Sequence, residues 1–144
     1  MHLRNDPEKH HRLVEELVSV LRDEGYRVLN AEGVEGLPPA RPLHNNGFGD
    51  QEDKVPDVYA LDERKRCYAI GEAKTGDNDF ESEHALTQYN VFLDQSDAAT
   101  GRQTLLYVIV PSSKVPEFNS LITHYIHRDY WRNIVLVSSK TLID

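Results

Sequence analysis

Cysteine is almost missing from this chain. Cys67 stands alone among 144 residues, which excludes an intrachain disulfide. No apolar run is long enough for a signal peptide or a membrane span, so the expected compartment is the cytoplasm and no membrane partner is expected. Positive charge is scarce too: 16 Lys and Arg stand against 24 Asp and Glu, a formal net charge of −8. That weighs against a surface built to hold nucleic acid through many phosphate contacts. The basic residues are not spread evenly: Arg64, Lys65 and Arg66 lie in one place and Arg128 and Arg132 in another, where each group is either a phosphate contact or a solvated turn. There is no Gly-rich phosphate loop, no Ser-His-Asp order, no Cys-x-x-Cys, no internal repeat and no low-complexity tract. His124 and His127 share a helix at a spacing of three but lack a third ligand for zinc, and are read as structural. A length of 144 residues is that of one domain able to bury roughly two thirds of its unfolded surface.

What is present reads as alternating helices and strands. Asp6 before Pro7 is an N-cap with a first-turn proline, and Leu13, Val14, Leu17, Val18 and Leu21 recur at helical spacing up to Gly25. Tyr26 to Leu29 reads as a strand. Val58 to Leu61 and Cys67 to Ile70, apolar and separated by the charged run 62–66, describe a hairpin in which Cys67 is read as a core residue. Glu81 to Asp94 carries Leu86, Tyr89, Phe92 and Leu93 with helical periodicity. Thr104 to Val110 is a near-continuous apolar run ended by Pro111, the pattern of a strand buried on both faces at the sheet's centre. Pro116 begins a third helix with Phe118, Leu121, Ile122, Tyr125 and Ile126 on its stripe, and Ile134 to Val137 supplies a last strand. Glu32 to Val55, rich in glycine and proline, is a long irregular loop of the kind that serves function or is disordered. It runs into Asp57, so His44, Asn45 and Asn46 are candidate substrate contacts, and Asp50, Glu52 and Asp53 candidate approaches to a metal.

The hairpin carries the chemistry. Pro56-Asp57 opens its first strand, and Glu72-Ala73-Lys74 closes its second after fourteen intervening residues. Two strands and a tight turn consume about that length, so the two carboxylates come side by side. Alternation puts Tyr68, Ile70, Glu72 and Lys74 on one face, with Glu72 and Lys74 roughly 6.6 Å apart along the strand. Neighbouring carboxylates repel unless a cation or proton lies between them. Magnesium fits such a place, binding one or two carboxylates together with waters and phosphate oxygens, and the Ala73 carbonyl is a further candidate ligand. Lys74 is then placed to orient or deprotonate an attacking water or to neutralise charge on phosphorus. The alternative is a salt bridge on a solvent-facing strand.

Pro56-Asp57 with Glu72-Ala73-Lys74 resembles the signature of the PD-(D/E)XK nucleases. The order α-β-β-β-α-β-α-β is similar to that superfamily's αβββαβ core, a mixed sheet flanked by helices, as in its Holliday junction resolvase-like members. The resemblance implies a restriction-endonuclease-like fold and a nuclease dependent on Mg2+, with Mn2+ as a substitute, in which Asp57, Glu72 and Lys74 are catalytic. It also implies nucleic acid, DNA in the first instance, as substrate, and at this size a homodimer or a partner subunit for any sequence-specific cleavage. A third acidic ligand often comes from the first helix in this superfamily. Glu15 is the choice here, with Glu16 beside it and His10 as competitor. Gln88 with Phe92 is similar to a Gln-x-x-x-Tyr element of exonuclease branches, which implies that Gln88 hydrogen-bonds Lys74 or a substrate phosphate. The alternative function is a catalytically weak or inactive nuclease-fold module that binds nucleic acid or assembles with protein.

Overall fold

The structure is a computed structural model that describes residues 7–144. Asp6, the expected helix cap, lies outside them. The first helix, α1, spans Pro7–Asp23 and buries Leu13, Val14, Leu17, Val18 and Leu21. It ends in a Schellman motif: Tyr26 N donates to the Leu21 carbonyl and Gly25 N to that of Arg22, with Gly25 at φ 97°. A glycine there meets a left-handed conformation that side chains resist.

The chain then forms β1 (Arg27–Ala31), β2 (Val58–Asp62) and β3 (Cys67–Ala73), α2 (Glu83–Asp94), β4 (Leu105–Val110), α3 (Val115–Tyr125) and β5 (Ile134–Ser138). The five strands lie in the order β1-β2-β3-β4-β5. β1, β2 and β3 pair antiparallel, while β3, β4 and β5 pair parallel, so this is a mixed sheet. The apolar run of β4 is interior, as its pattern predicts, but the middle strand is β3. Helix α2 starts two residues later than the periodicity suggests, because Ser82 caps it by accepting a hydrogen bond from Ala85 N.

Two apolar layers enclose the sheet. On one face α1 packs with Val28, Ala31, Val58, Ala60, Ala69, Ala73, Tyr107 and Ile109. On the other, α2 and α3 pack with Ile70, Leu106, Val108 and Val110. Gly71 permits the closeness of α1: a Cβ there would stand 2.8 Å from Leu17 Cδ2 and 3.0 Å from Val58 Cβ. Two expected core residues are not core. Tyr125, in the last turn of α3, is 48% exposed. Cys67 opens β3 beside the hairpin turn and is half-buried, since a strand's first residue lies at the rim of the sheet. No helix among the described residues is long and apolar enough to cross a membrane.

The segment between β1 and β2 has almost no regular structure, yet its backbone is well tied. Asn45, itself buried, accepts from Gly47 N and Phe48 N and donates to the Phe48 and Glu52 carbonyls. Leu43 and Lys54 form an isolated antiparallel bridge. The loop lies along α2: Asn46 bonds Asp94, Asp50 N donates to Thr87 Oγ1, and a Cβ on Gly49 would collide with that same hydroxyl. It thereby delivers Lys54 to the start of α2 and Asp57 to the start of β2.

Candidate active site

The β2–β3 register pairs Val58 with Gly71, which sets Asp57 opposite Glu72 one step further out. The two residues are cross-linked by their backbones. Glu72 Oε1 accepts from Asp57 N at 3.0 Å, and Asp57 Oδ2 accepts from Ala73 N at 2.9 Å. Each carboxylate has one oxygen held by the opposite strand, and Asp57 Oδ1 has no hydrogen-bond partner among the described residues. Both side chains are nearly out of water, Glu72 at 2% exposure and Asp57 at 8%. Burial first, and then the charge of Asp57, push the Glu72 carboxyl up to about 8, with Lys74 pulling the other way.

Lys74 follows β3 directly and is also buried. Its Nζ donates to Gln88 Oε1 at 2.6 Å, stands 3.6 Å from Glu72 Oε2 and lies 5.6 Å from the centre of the Tyr89 ring. Gln88 is therefore not a solvent-facing helix residue; it is buried on α2 and fixes Lys74, while Phe92, one turn on, is core. His10 Nε2 lies 3.1 Å from Asp57 Oδ2. That hydrogen bond raises the imidazole's pKa against the opposing effect of burial. Near the site, Lys9 pairs with Asp77 at 3.2 Å, and Asp79 accepts from Thr75 N and Gly76 N, which shapes the turn after β3.

His10, Asp57, Glu72, Lys74 and Gln88 line one polar cleft of about 270 Å³, together with Ala73, Asn78, Asp79, Ser82, His84 and Ala85. Asp57, Glu72, Ala73, Lys74, Gln88 and His10 are thus brought together. Glu15 and His44 are not. Glu15 lies roughly 130° around α1 from the middle of its buried stripe, is exposed, and pairs with His11 at 3.4 Å. Its neighbour Glu16 accepts hydrogen bonds from Ser139, Lys140 and Thr141 beyond β5. On the same helical wheel His10, one turn before Val14, falls on the buried stripe, and that spacing is the sequence signal that selects it over Glu15. His44 is exposed and 3.6 Å from Asp53. Asn45 spends its hydrogen bonds inside the loop and Asn46 bonds Asp94, so neither faces the cleft.

Asp50, Glu52 and His84 come near enough to one another to share a metal ion. A cation is already among them. Lys54, 1% exposed, places Nζ 2.7 Å from Asp50 Oδ2, 2.9 Å from His84 Nδ1 and 3.6 Å from Glu52 Oε1. Neither Lys54 nor His84 stands out in the sequence, since they meet across 30 residues. The basic clusters lie elsewhere. The hairpin turn with Arg64, Lys65 and Arg66 is about 20 Å from Glu72 along β3. Arg128 and Arg132 line a separate concavity of about 970 Å³ with Trp131 and Phe48; that groove adjoins the start of β5, the sheet end away from Glu72.

No family model, curated protein or solved structure matches the chain. What it does must be argued from the cleft.

The donor set suits a hard divalent cation. Two buried carboxylates face each other, each with one oxygen pinned by backbone, and burial first, then its neighbour's charge, raises the pKa of one of them above the usual carboxylate range. That combination favours a cation that replaces the proton.

Proposed function

We propose that the chain is a divalent-metal-dependent nuclease that hydrolyses phosphodiester bonds, acting on DNA as an endonuclease, with a restriction-endonuclease-like fold of the PD-(D/E)XK type. The observation that carries this reading is the crossed pair of Asp57 and Glu72 on adjacent strands with Lys74 in the same cleft. The mixed five-stranded sheet between α1 on one face and α2 and α3 on the other is consistent with that fold.

Asp57 and Glu72 would hold Mg2+ or Mn2+, with the Ala73 carbonyl as a further oxygen. Such a metal, when bound, supplies a lower pKa for a ligated water and draws off charge from the phosphate. The protein's own residues do the rest. Asp57 N and Ala73 N fix one oxygen of each carboxylate, so that the site is organised before substrate arrives. His10 holds Asp57 Oδ2 from the α1 side. Gln88 keeps the Lys74 ammonium in the cleft, where it orients the attacking water and offsets the negative charge that grows on phosphorus as the bond to water forms. The attacking water gives up a proton to solvent as its bond to phosphorus forms, and the leaving alkoxide departs as its own bond breaks and takes up a proton from solvent.

A labelled panel of single-stranded, duplex, flapped and four-way-junction DNA and of RNA, incubated with Mg2+ or Mn2+, tests the reading. Metal-dependent cleavage that is lost in Lys74→Ala supports it and names the substrate. Cleavage that survives in Lys74→Ala contradicts the assignment of the site. A second reading has one observation in its favour, the net charge of −8 with both basic clusters away from the cleft. On it, the fold is a weak or inactive module for nucleic-acid binding or protein assembly, and the folded chain cleaves no member of the panel.

A further inference from the structure

Lys54 is a positive charge removed from water and left with three partners, one of which is an imidazole. An ammonium carries only donors. Its 2.9 Å contact with His84 Nδ1 therefore requires that nitrogen to accept, which leaves the ring proton on Nε2. Asp50 at 2.7 Å and Glu52 at 3.6 Å balance the ammonium from the loop side. His84 lies in the first turn of α2, lines the same cleft as Asp57, Glu72 and Lys74, and its Nε2 has no protein partner among the described residues. Burial, then the charges of Lys54 and Lys74, lower the imidazole's pKa and so keep the ring neutral.

We infer that His84 is a fixed, neutral hydrogen-bond donor to a phosphate oxygen in this cleft, and that Lys54 is the positioning residue that sets its tautomer. The inference rests on the nuclease reading for its substrate, a phosphodiester, but not for its geometry. Asp57 and Glu72 would hold a metal from the strand side of the cleft. His84 would grip an oxygen on the α2 side, where the cleft otherwise offers Ser82 and the amide of Gln88. A neutral donor suits a place between two lysines, since an imidazolium there would be repelled by both.

Two readouts test this separately. Long-range 1H–15N correlation spectra of the metal-free protein at pH 7 should show His84 as the Nε2–H tautomer, and Lys54→Met should turn it into a mixture. A wild-type ring that is Nδ1–H or doubly protonated overturns the inference. Titration with inorganic phosphate in the presence of magnesium should shift the His84 Nε2–H resonance, and His84→Ala should weaken phosphate binding about tenfold, the loss of one charge-assisted hydrogen bond. Unchanged affinity in His84→Ala, or no phosphate binding by the wild type, overturns it. A protein that shows the tautomer and binds phosphate through His84 but cleaves nothing contradicts only the nuclease reading. Cleavage as fast in His84→Ala as in the wild type contradicts only the role of His84.

Discussion

Lys54 and Lys74 invite comparison, because both are withdrawn from water, at 1% and 6% exposure, and both stand beside carboxylates. Lys54 is enclosed: Asp50 and His84 accept hydrogen bonds from its ammonium and Glu52 completes the shell, so nothing remains for a ligand. Lys74 is tethered instead. Among the described residues its one hydrogen bond goes to a neutral amide and its nearest carboxylate is 3.6 Å away, and the cleft of about 270 Å³ opens beside it. A buried charge held by two hydrogen bonds away from the cleft serves the fold, and one held by a single hydrogen bond beside the cleft serves a ligand. The loop and the start of α2 are joined by the first; the chemistry is offered by the second.

The sharpest way to break that contrast is to remove each ammonium while keeping its stem. Lys74→Met should lower cleavage by about a hundredfold or more, the usual scale for a lost electrostatic group, while unfolding in urea changes by only about 1 kcal/mol, the scale of its bond to Gln88. Lys54→Met should do the reverse. It leaves the loop's carboxylates without their cation and should lower the midpoint of urea unfolding, with a smaller loss of cleavage. If the two variants behave alike, the distinction fails.

Acidity separates the regions next. Glu72 has its pKa raised in the folded state, so the stability it contributes is fully present below the ordinary carboxyl value of 4.5 and is lost as pH rises through about 8. The metal-free protein should therefore unfold at lower urea as pH goes from 5 to 9. Glu72→Gln should flatten that dependence and be the more stable protein at pH 9, whereas substitutions around Lys54 should leave the slope in place. A slope unchanged in Glu72→Gln would show that its carboxyl ionises elsewhere in the range.

Gln88→Leu sharpens the comparison from the tether. It removes the acceptor of the Lys74 bond without removing the charge, and should reduce cleavage about tenfold at a cost of about 1 kcal/mol. The smallest effect belongs to Glu15→Ala, which should stay within about 0.5 kcal/mol in unfolding and leave cleavage unchanged, because Glu15 is exposed on the far side of α1 from the cleft.

The contrast also marks how far the sequence is legible. Strand alternation and a hairpin of the right length place Asp57, Glu72 and Lys74 together, because those relations span only adjacent strands. Helical phase favours His10 over Glu15 once the buried stripe is drawn, but proximity to Val14 and Val18 in the sequence misleads when the angle around the axis is ignored. Gln88 is singled out in the sequence only through the resemblance of Gln88 and Phe92 to a Gln-x-x-x-Tyr element; its burial on α2 against Lys74 is what the structure adds. Lys54 and His84 are not. A lysine in a Gly- and Pro-rich loop reads as solvated, and its burial depends on the loop's course along α2, which Asn45 and the Gly49–Thr87 approach determine and no local pattern encodes.

The most direct measurement is a manganese titration of the purified protein, following the free-ion electron paramagnetic resonance signal, with Asp57→Asn beside the wild type. Loss of the free-ion signal on binding to the wild type, and its retention in a folded Asp57→Asn, is the result predicted by a metal site at the crossed carboxylates. No binding by the wild type, or equal binding by the variant, would contradict it.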